Sequence, residues 1–464
     1  MFKFFLSALI FISPFLFFSQ QKKSDPVKKK ITNHKNKKQH SSRHTSYLAA
    51  SGVRSEKIRS SGYRKNSHLI DSLLRTQPQN FSAFLANPRK YKVQIIYTQI
   101  NRDKDNKPSF IQHNYYLDST NYFYCASLVK LPVSILCLQK LNQLNVSGLN
   151  KNSIMFTDSS ITCHRKWISD STSRSGYPSI AHHLKKMLLV SDNLSYGRTY
   201  EFITPDYIHQ ELQKRGYGSM RIIHRFDGKC EGLNNFYCNK IDFFDEKNNL
   251  LYSQPASAAK KNYARPPGTY RLGRAYLNEN NRKVKKPRDM SDKNFLHLQQ
   301  INDVLKWLVF HQYAPERKKF DITPADRSFL LKYMSMYPRE SEFPKYGIEY
   351  ADAHKKYLIY GGTTDTIRNA DLRIFNIVGM SLGCMIDCAY VVDFSKGTEF
   401  MLSAVVYVNQ DNVVNDGKYE YTTIGFPYLN KLGNLFLEYE NQRKKKLMPD
   451  LREFEPKNLY PLSD

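Results

Sequence analysis

The sequence is short of cysteine, of acidic residues and of long apolar runs, and each shortage removes a class of protein. Seven cysteines are spread over 464 residues with no CxxC pair and no HExxH, and the 13 histidines are scattered, so no metal-ligand spacing stands out. Cys230 and Cys238 are close enough in sequence to bridge in an oxidising compartment. Cys384 and Cys388 would share one face of a strand and read as core residues. The phosphate-cradling patterns GxGxxG and GxxxxGK[ST] are both absent, which argues against a doubly wound dinucleotide fold. Glycine and proline, 20 of each, are too few for a collagen-like chain, and 41 % apolar residues are too many for a wholly disordered one. After the first 20 residues no apolar run approaches the roughly 18 that a membrane span requires, so the remainder is expected to be soluble.

Acidic residues number 42 against 70 Lys plus Arg, a net charge of +28. The excess is concentrated: residues 21–66 hold 14 Lys or Arg against only Asp25 and Glu56. Rich in Ser, Asn and His and poor in periodic apolar residues, this stretch reads as part of a basic disordered linker over 21–79. Before it, Met1 and Lys3 lead into an apolar run, Phe4 to Phe18, ending at Ser19 and Gln20. A positive start, a short hydrophobic core and a small residue predict an export signal over 1–20, hence a periplasmic or secreted protein. An exported chain rarely meets nucleic acid, so the basic segment is expected to be solvated, with at most weak contact to anionic envelope polymers.

From about residue 80 the pattern becomes that of a folded domain, expected to run to 445 and to leave 446–464 as a tail. KVQIIYTQI (92–100) and FIQHNYYLD (110–118) flank a polar turn and predict a hairpin. Leu131, Ile135, Leu138 and Leu141 then repeat at helical spacing. Near the other end, 383–394 and 399–409 read as two strands joined by a turn at Gly397, followed by a helix with Phe426, Leu429, Leu432, Phe436 and Tyr439 on one face. Strands at both ends with helices between imply an α/β architecture: one antiparallel sheet built from both chain ends, flanked by helices, with an inserted all-α lobe over about 145–345.

Two short motifs carry chemistry. In Ser127-Leu128-Val129-Lys130 the serine and lysine are three apart at the opening of a predicted helix, close enough to hydrogen-bond. A serine hydroxyl needs a base to take its proton, and a desolvated lysine can serve. Ser191-Asp192-Asn193 follows an amphipathic stretch and precedes a new helix, where a polar turn can project a hydroxyl and an amide into a cleft. Each motif read alone is also compatible with an ordinary N-cap.

Taken together, a helix-initial SxxK after a hairpin and an SDN on a helix–helix turn resemble the class A β-lactamase and penicillin-binding-protein superfamily, over roughly residues 80–440. The stretches YCASLVKLPV, SDNLSYGRTYEF and IDCAYVVDFSKGTEFMLSAVVYVN strengthen the likeness to an exported serine-hydrolase branch. The resemblance implies a β-lactamase/transpeptidase-like fold, no cofactor, a monomer, and a small β-lactam or cell-wall peptide as substrate. It implies that Ser127 attacks an amide carbonyl, Lys130 accepts its proton, Ser191 relays a proton to the leaving nitrogen and Asn193 orients Lys130 and substrate. The oxyanion would lie between the N–H of Ser127 and the strand Val378-Gly379-Met380, at the N–H of Met380.

Two departures accompany the likeness. The family's strand lysine falls at Ile377, with Arg373 on the same face but about 13 Å away. Lys396-Gly397-Thr398 reads as a solvent-facing hairpin tip, and Ile377→Lys is expected to speed acylation by carboxylate-bearing substrates. For deacylation no acid aligns clearly, Asp227 and Glu231 being the nearby carboxylates. The segments GRAYLNENNRK and KYLIYGGTTD are placed to edge the cleft. A D-alanyl peptide carboxypeptidase or other amide or ester hydrolase, and an inactive binding protein on the same scaffold, are the competing readings.

Overall fold

The computed structural model describes residues 65–159, 165–226 and 232–459. Its centre is a five-stranded antiparallel sheet of β1 (Gln94–Arg102), β2 (Pro108–Tyr115), β3 (Leu372–Ser381), β4 (Cys384–Asp393) and β5 (Thr398–Tyr407). The spatial order is β3-β4-β5-β1-β2, so the two ends of the chain meet where Gln94 faces Val405 and Gln99 faces Phe400. The expected fold class is the one observed. Both hairpins are set by turn chemistry. Between β1 and β2 the Asp103 carboxylate accepts the N–H groups of Asp105 and Lys107, with Asn106 left-handed at φ 57°. Between β3 and β4 a two-residue turn places Leu382 at φ 53° and Gly383 at φ 82°, the pair of positive angles that matches the twist of adjoining strands.

Every residue of β4 and β5 is buried, because helices cover both faces. On one side lie α1 (His68–Arg75), α2 (Pro78–Ala86) and the closing helix α9 (Phe426–Gln442), which bury Ile70, Phe81, Leu429 and Phe436 against Ile95, Phe400 and Leu402. On the other lie α3 (Lys130–Leu144), α4 (Ile180–Val190), α5 (Asn193–Ile203), α6 (Pro205–Lys214), α7 (Leu298–Val309) and α8 (Pro324–Ser335). α3 is apolar almost all round and runs through the lobe with Leu131, Val133, Ile135, Leu136 and Leu138 fully buried.

The domain limits expected at 80 and 445 are too narrow. α1 lies inside the stretch expected to be linker, and it is ordered because Ile70 and Leu74 cover the sheet while the Ser67 N–H bonds the Asn114 carbonyl. Leu451, Phe454 and Leu459 are buried in the lobe-side core, so the expected tail is packed as far as it is described. The inserted lobe is not all-α either. Ile154–Thr157, Ile241–Phe244 and Leu250–Gln254 form a three-stranded antiparallel sheet, and short strand pairs follow between 257 and 289. The run Ile241-Asp242-Phe243-Phe244 is too short to announce itself, yet Ile241 and Phe243 point inward and are fully buried.

The segment KYLIYGGTTD, expected at the cleft, packs instead beneath α9: Leu358 and Ile359 are buried with Leu432, and a side chain at Gly433 would meet the Ile359 backbone at 2.4 Å. Cys125, Cys137, Cys238, Cys384 and Cys388 are buried free thiols. Cys163 and Cys230 lie outside the described residues, and with them the suggested bridge to Cys238.

Candidate active site

Ser127 does not open an α-helix. It sits in a 3-10 turn, Ala126–Val129, and α3 begins at Lys130. The turn is entered through Ala126 at φ 44°, a left-handed conformation unfavourable for a residue with a Cβ, which aims the half-buried Ser127 away from the core. The flanking strand comes unusually close. A Cβ at Gly379 would lie 2.5 Å from the Cys125 carbonyl oxygen, so only glycine lets β3 pack against the serine turn. Val378 faces the opposite side of the sheet among residues of the α9 core, and Met380 is 40 % exposed at the end of β3. Gly379 and Ser127 are thus neighbours, with Met380 the next backbone unit along the strand.

The SDN turn is made by two helix ends. α4 stops where Ser191 turns left-handed, φ 61°, its N–H on the Met187 carbonyl at 3.1 Å. α5 starts with Asp192 as its N-cap, the carboxylate accepting the Ser195 N–H at 2.6 Å. Ser191 and Asn193 are thereby brought to Lys130. The Lys130 Nζ lies 3.1 Å from Ser127 Oγ, 3.0 Å from Ser191 Oγ and 2.7 Å from Asn193 Oδ1, and it also donates to the Ser191 carbonyl.

Lys130 is fully buried, and burial, aided by the neighbouring charge of Lys355 and opposed by that of Asp192, holds its pKa well below the usual lysine value. The Ser191 carbonyl and Asn193 Oδ1 can only accept, so when the amine is deprotonated they take its two N–H bonds and its lone pair is left for a serine hydroxyl. The rings of Tyr196 and Phe226 lie 6.0 and 5.4 Å from Nζ and keep solvent from that side. Beyond Phe226 a cavity of about 420 Å³ opens, lined by Tyr124, His224, Arg288 and Ser381 among others. Burial pushes His224 down to about 4, so at neutral pH it is an uncharged wall of this cavity, bonded to the Arg225 carbonyl.

The two departures resolve differently. Ile377 is fully buried among apolar side chains of the lobe-side core, so a lysine there costs more in desolvation than the expected gain from Ile377→Lys offers. Arg373 is turned away, forming a double hydrogen bond with Glu340 at 2.9 and 3.0 Å. Lys396 is exposed in the β4–β5 turn, as its hairpin position implied. Asp227 and Glu231 lie outside the described residues. Arg225 donates to the Asn234 and Tyr237 carbonyls and forms a wholly buried ion pair with Glu201 of α5. Among the described residues no group of three or more His, Cys, Asp or Glu is placed to hold a metal ion. Two features had no signal in the sequence: Lys355, whose partners are distant carbonyls, and the aromatic wall of Tyr196 and Phe226, which only folding assembles.

Residues 80–264 match the family model Beta-lactamase2, described as the β-lactamase enzyme family, and this segment contains Ser127, Lys130, Ser191 and Asn193. The match bears out the superfamily resemblance read from the motifs over the segment that carries them. No curated protein matches. Similar solved structures include a β-lactamase from Burkholderia phymatum, 13 % identical over 80 % of this chain and 100 % of that one, with a TM-score of 0.44. A class A β-lactamase from Clostridium kluyveri is 14 % identical over 78 % and 98 %, TM-score 0.42. A β-lactamase from Chitinophaga pinensis is 13 % identical over 79 % and 98 %, TM-score 0.41. The fold itself rests on the strand order and packing described above.

Proposed function

We propose that the protein is an exported serine acyl hydrolase that opens a cyclic or activated amide through an acyl-enzyme on Ser127. The observation that carries this reading is the satisfied pair of carbonyl acceptors on Lys130, which leaves an amine lone pair 3.1 Å from the Ser127 hydroxyl. In the acylation step Ser127 Oγ bonds to the substrate carbonyl carbon while its proton passes to Lys130 Nζ. Negative charge then develops on the carbonyl oxygen. The N–H groups of Ser127 and Met380 are its proposed donors, supported by the close approach of Gly379 to the serine turn. As the C–N bond breaks, the proton moves from Lys130 through Ser191 Oγ, 3.0 Å away, to the departing nitrogen. Water then displaces the acyl group from Ser127. Export to the periplasm or medium is part of the proposal and is supported by the charge and apolar pattern of the first 20 residues.

The test is incubation of the signal-free protein with a fluorescent penicillin and with a chromogenic cephalosporin, beside Ser127→Ala. The expected result is covalent labelling at Ser127, seen by intact mass, or turnover, either of them lost in the variant. Turnover identifies a β-lactamase, and a persistent adduct identifies a penicillin-binding hydrolase. Neither signal from a folded protein sinks the β-lactam reading.

A further inference from the structure

β3 carries no cation toward the cleft, yet one reaches the SDN turn from another element. Lys355 closes a short 3-10 turn, Asp352–Lys355, that precedes β3 in the chain. It is 4 % exposed, and its Nζ donates to the Leu188 carbonyl and, at 3.4 Å, to that of Met187. These are carbonyls of the last turn of α4, and that of Met187 also accepts the Ser191 N–H. Lys355 thus holds the end of α4 from outside, immediately before Ser191 takes its left-handed turn. Lys130 grips the same turn from the other side through the Ser191 carbonyl and Asn193.

Resting on the acyl-transfer reading above, we propose that Lys355 is a positioning residue for it: from outside α4 it fixes the turn that holds Ser191 and Asn193 against Lys130, and it sets a second amine on the other side of that turn. The charged and titratable groups facing it among the described residues are His354 and Lys356 on its own segment, Lys130 on α3 and Asp387 on β4, while Asp192 at the start of α5 acts on Lys130. Asp387 is itself held by the Leu358 N–H at 3.0 Å and Asn376 Nδ2 at 2.9 Å, and Asn376 also donates to the Lys355 carbonyl. Lys356 is spent on the Met334 and Ile374 carbonyls and Asn376 Oδ1. Burial brings Lys355 down to about 7, so it is charged in acid and loses its proton around neutrality. A cation here disfavours a second one at Lys130. Removing it raises the pKa of Lys130 and moves the rise of acylation with pH to higher pH.

The experiment measures the second-order rate of acylation by fluorescent penicillin from pH 5 to 10 for wild type, Lys355→Met and Lys355→Arg. Lys355→Met is expected to slow acylation at pH 7 by at least about tenfold and to shift the acid limb upward by about one unit or more. Lys355→Arg, a cation at every pH, is expected to keep the limb at or below that of wild type. A methionine variant slowed equally at all pH values, with its limb unmoved, overturns the electrostatic role and leaves only a helix cap. If that variant does not fold, the arginine variant decides: a limb moved upward overturns the proposal. If wild type itself is never acylated, the acyl-transfer reading fails, and the charge effect is judged separately by NMR titration of the Lys130 ammonium. There Lys355→Met must raise the Lys130 pKa, and an unchanged value overturns the inference.

Discussion

At Lys130 a buried amine stands between two carbonyl acceptors and the hydroxyl of Ser127, 3.1 Å away. Individual side chains around this centre differ in how far they could be read in advance. Ser127, Lys130, Ser191 and Asn193 sit in local motifs whose spacing is itself the signal, and folding brings all four together. Ile377 shows the limit of such reading. Its register was legible, but whether the side chain lines the cleft or the core depends on packing that no short window contains. Fully buried among apolar neighbours, it predicts that Ile377→Lys destabilises the fold by more than about 2 kcal/mol and does not speed acylation, checked by urea unfolding and by the penicillin rate. Asp387 offers a pH test. Burial pushes its carboxyl up to about 7, above the ordinary value near 4. Between those two values the folded chain holds a proton the unfolded chain has released, so this group's contribution is full in acid and is lost as pH rises to 7. The stability of wild type relative to Asp387→Asn is therefore expected to fall between pH 4 and 7, read from paired denaturation curves.

Among the elements, the turn between α4 and α5 gathers the polar residues around Lys130, while two inner strands are tied at their ends by buried charge. Arg102 at the end of β1 meets Glu399 at the start of β5 in a double hydrogen bond of 2.6 and 2.8 Å, and the Tyr390 hydroxyl completes the carboxylate at 2.7 Å. Both charged side chains are nearly inaccessible. Removing only the acid strands the guanidinium without water, so Glu399→Leu is expected to cost about 3–5 kcal/mol in chemical denaturation. The strands and the closing helix were legible because each is long and strictly periodic. The short strands of the inserted lobe were not, since four residues support helix and strand alike until a partner such as Ile154–Thr157 lies beside them.

For the molecule as a whole, the limits of the fold are set by which residues find apolar cover. The last described turn inserts Phe454 among Phe310, Phe375 and Tyr390, with ring centroids 6.4, 5.8 and 4.9 Å away. Phe454→Ala is expected to cost about 3–5 kcal/mol and to lower the melting temperature, measured calorimetrically, although the residue lies far beyond the last strand. Composition alone suggested a loose end there, because a few isolated aromatics in a polar stretch show no period.

The pairing of β1 with β5 joins residues near 95 to residues near 405. A ribosome therefore releases Ser127, Lys130 and the turn at 191–193 long before the strand that completes their platform exists. Until then β1 has a bare flank, open to any chaperone or neighbouring chain offering a strand. Chains ending before about residue 400 are expected to leave that flank unpaired and to self-associate, a tendency that size-exclusion chromatography of truncated fragments would read.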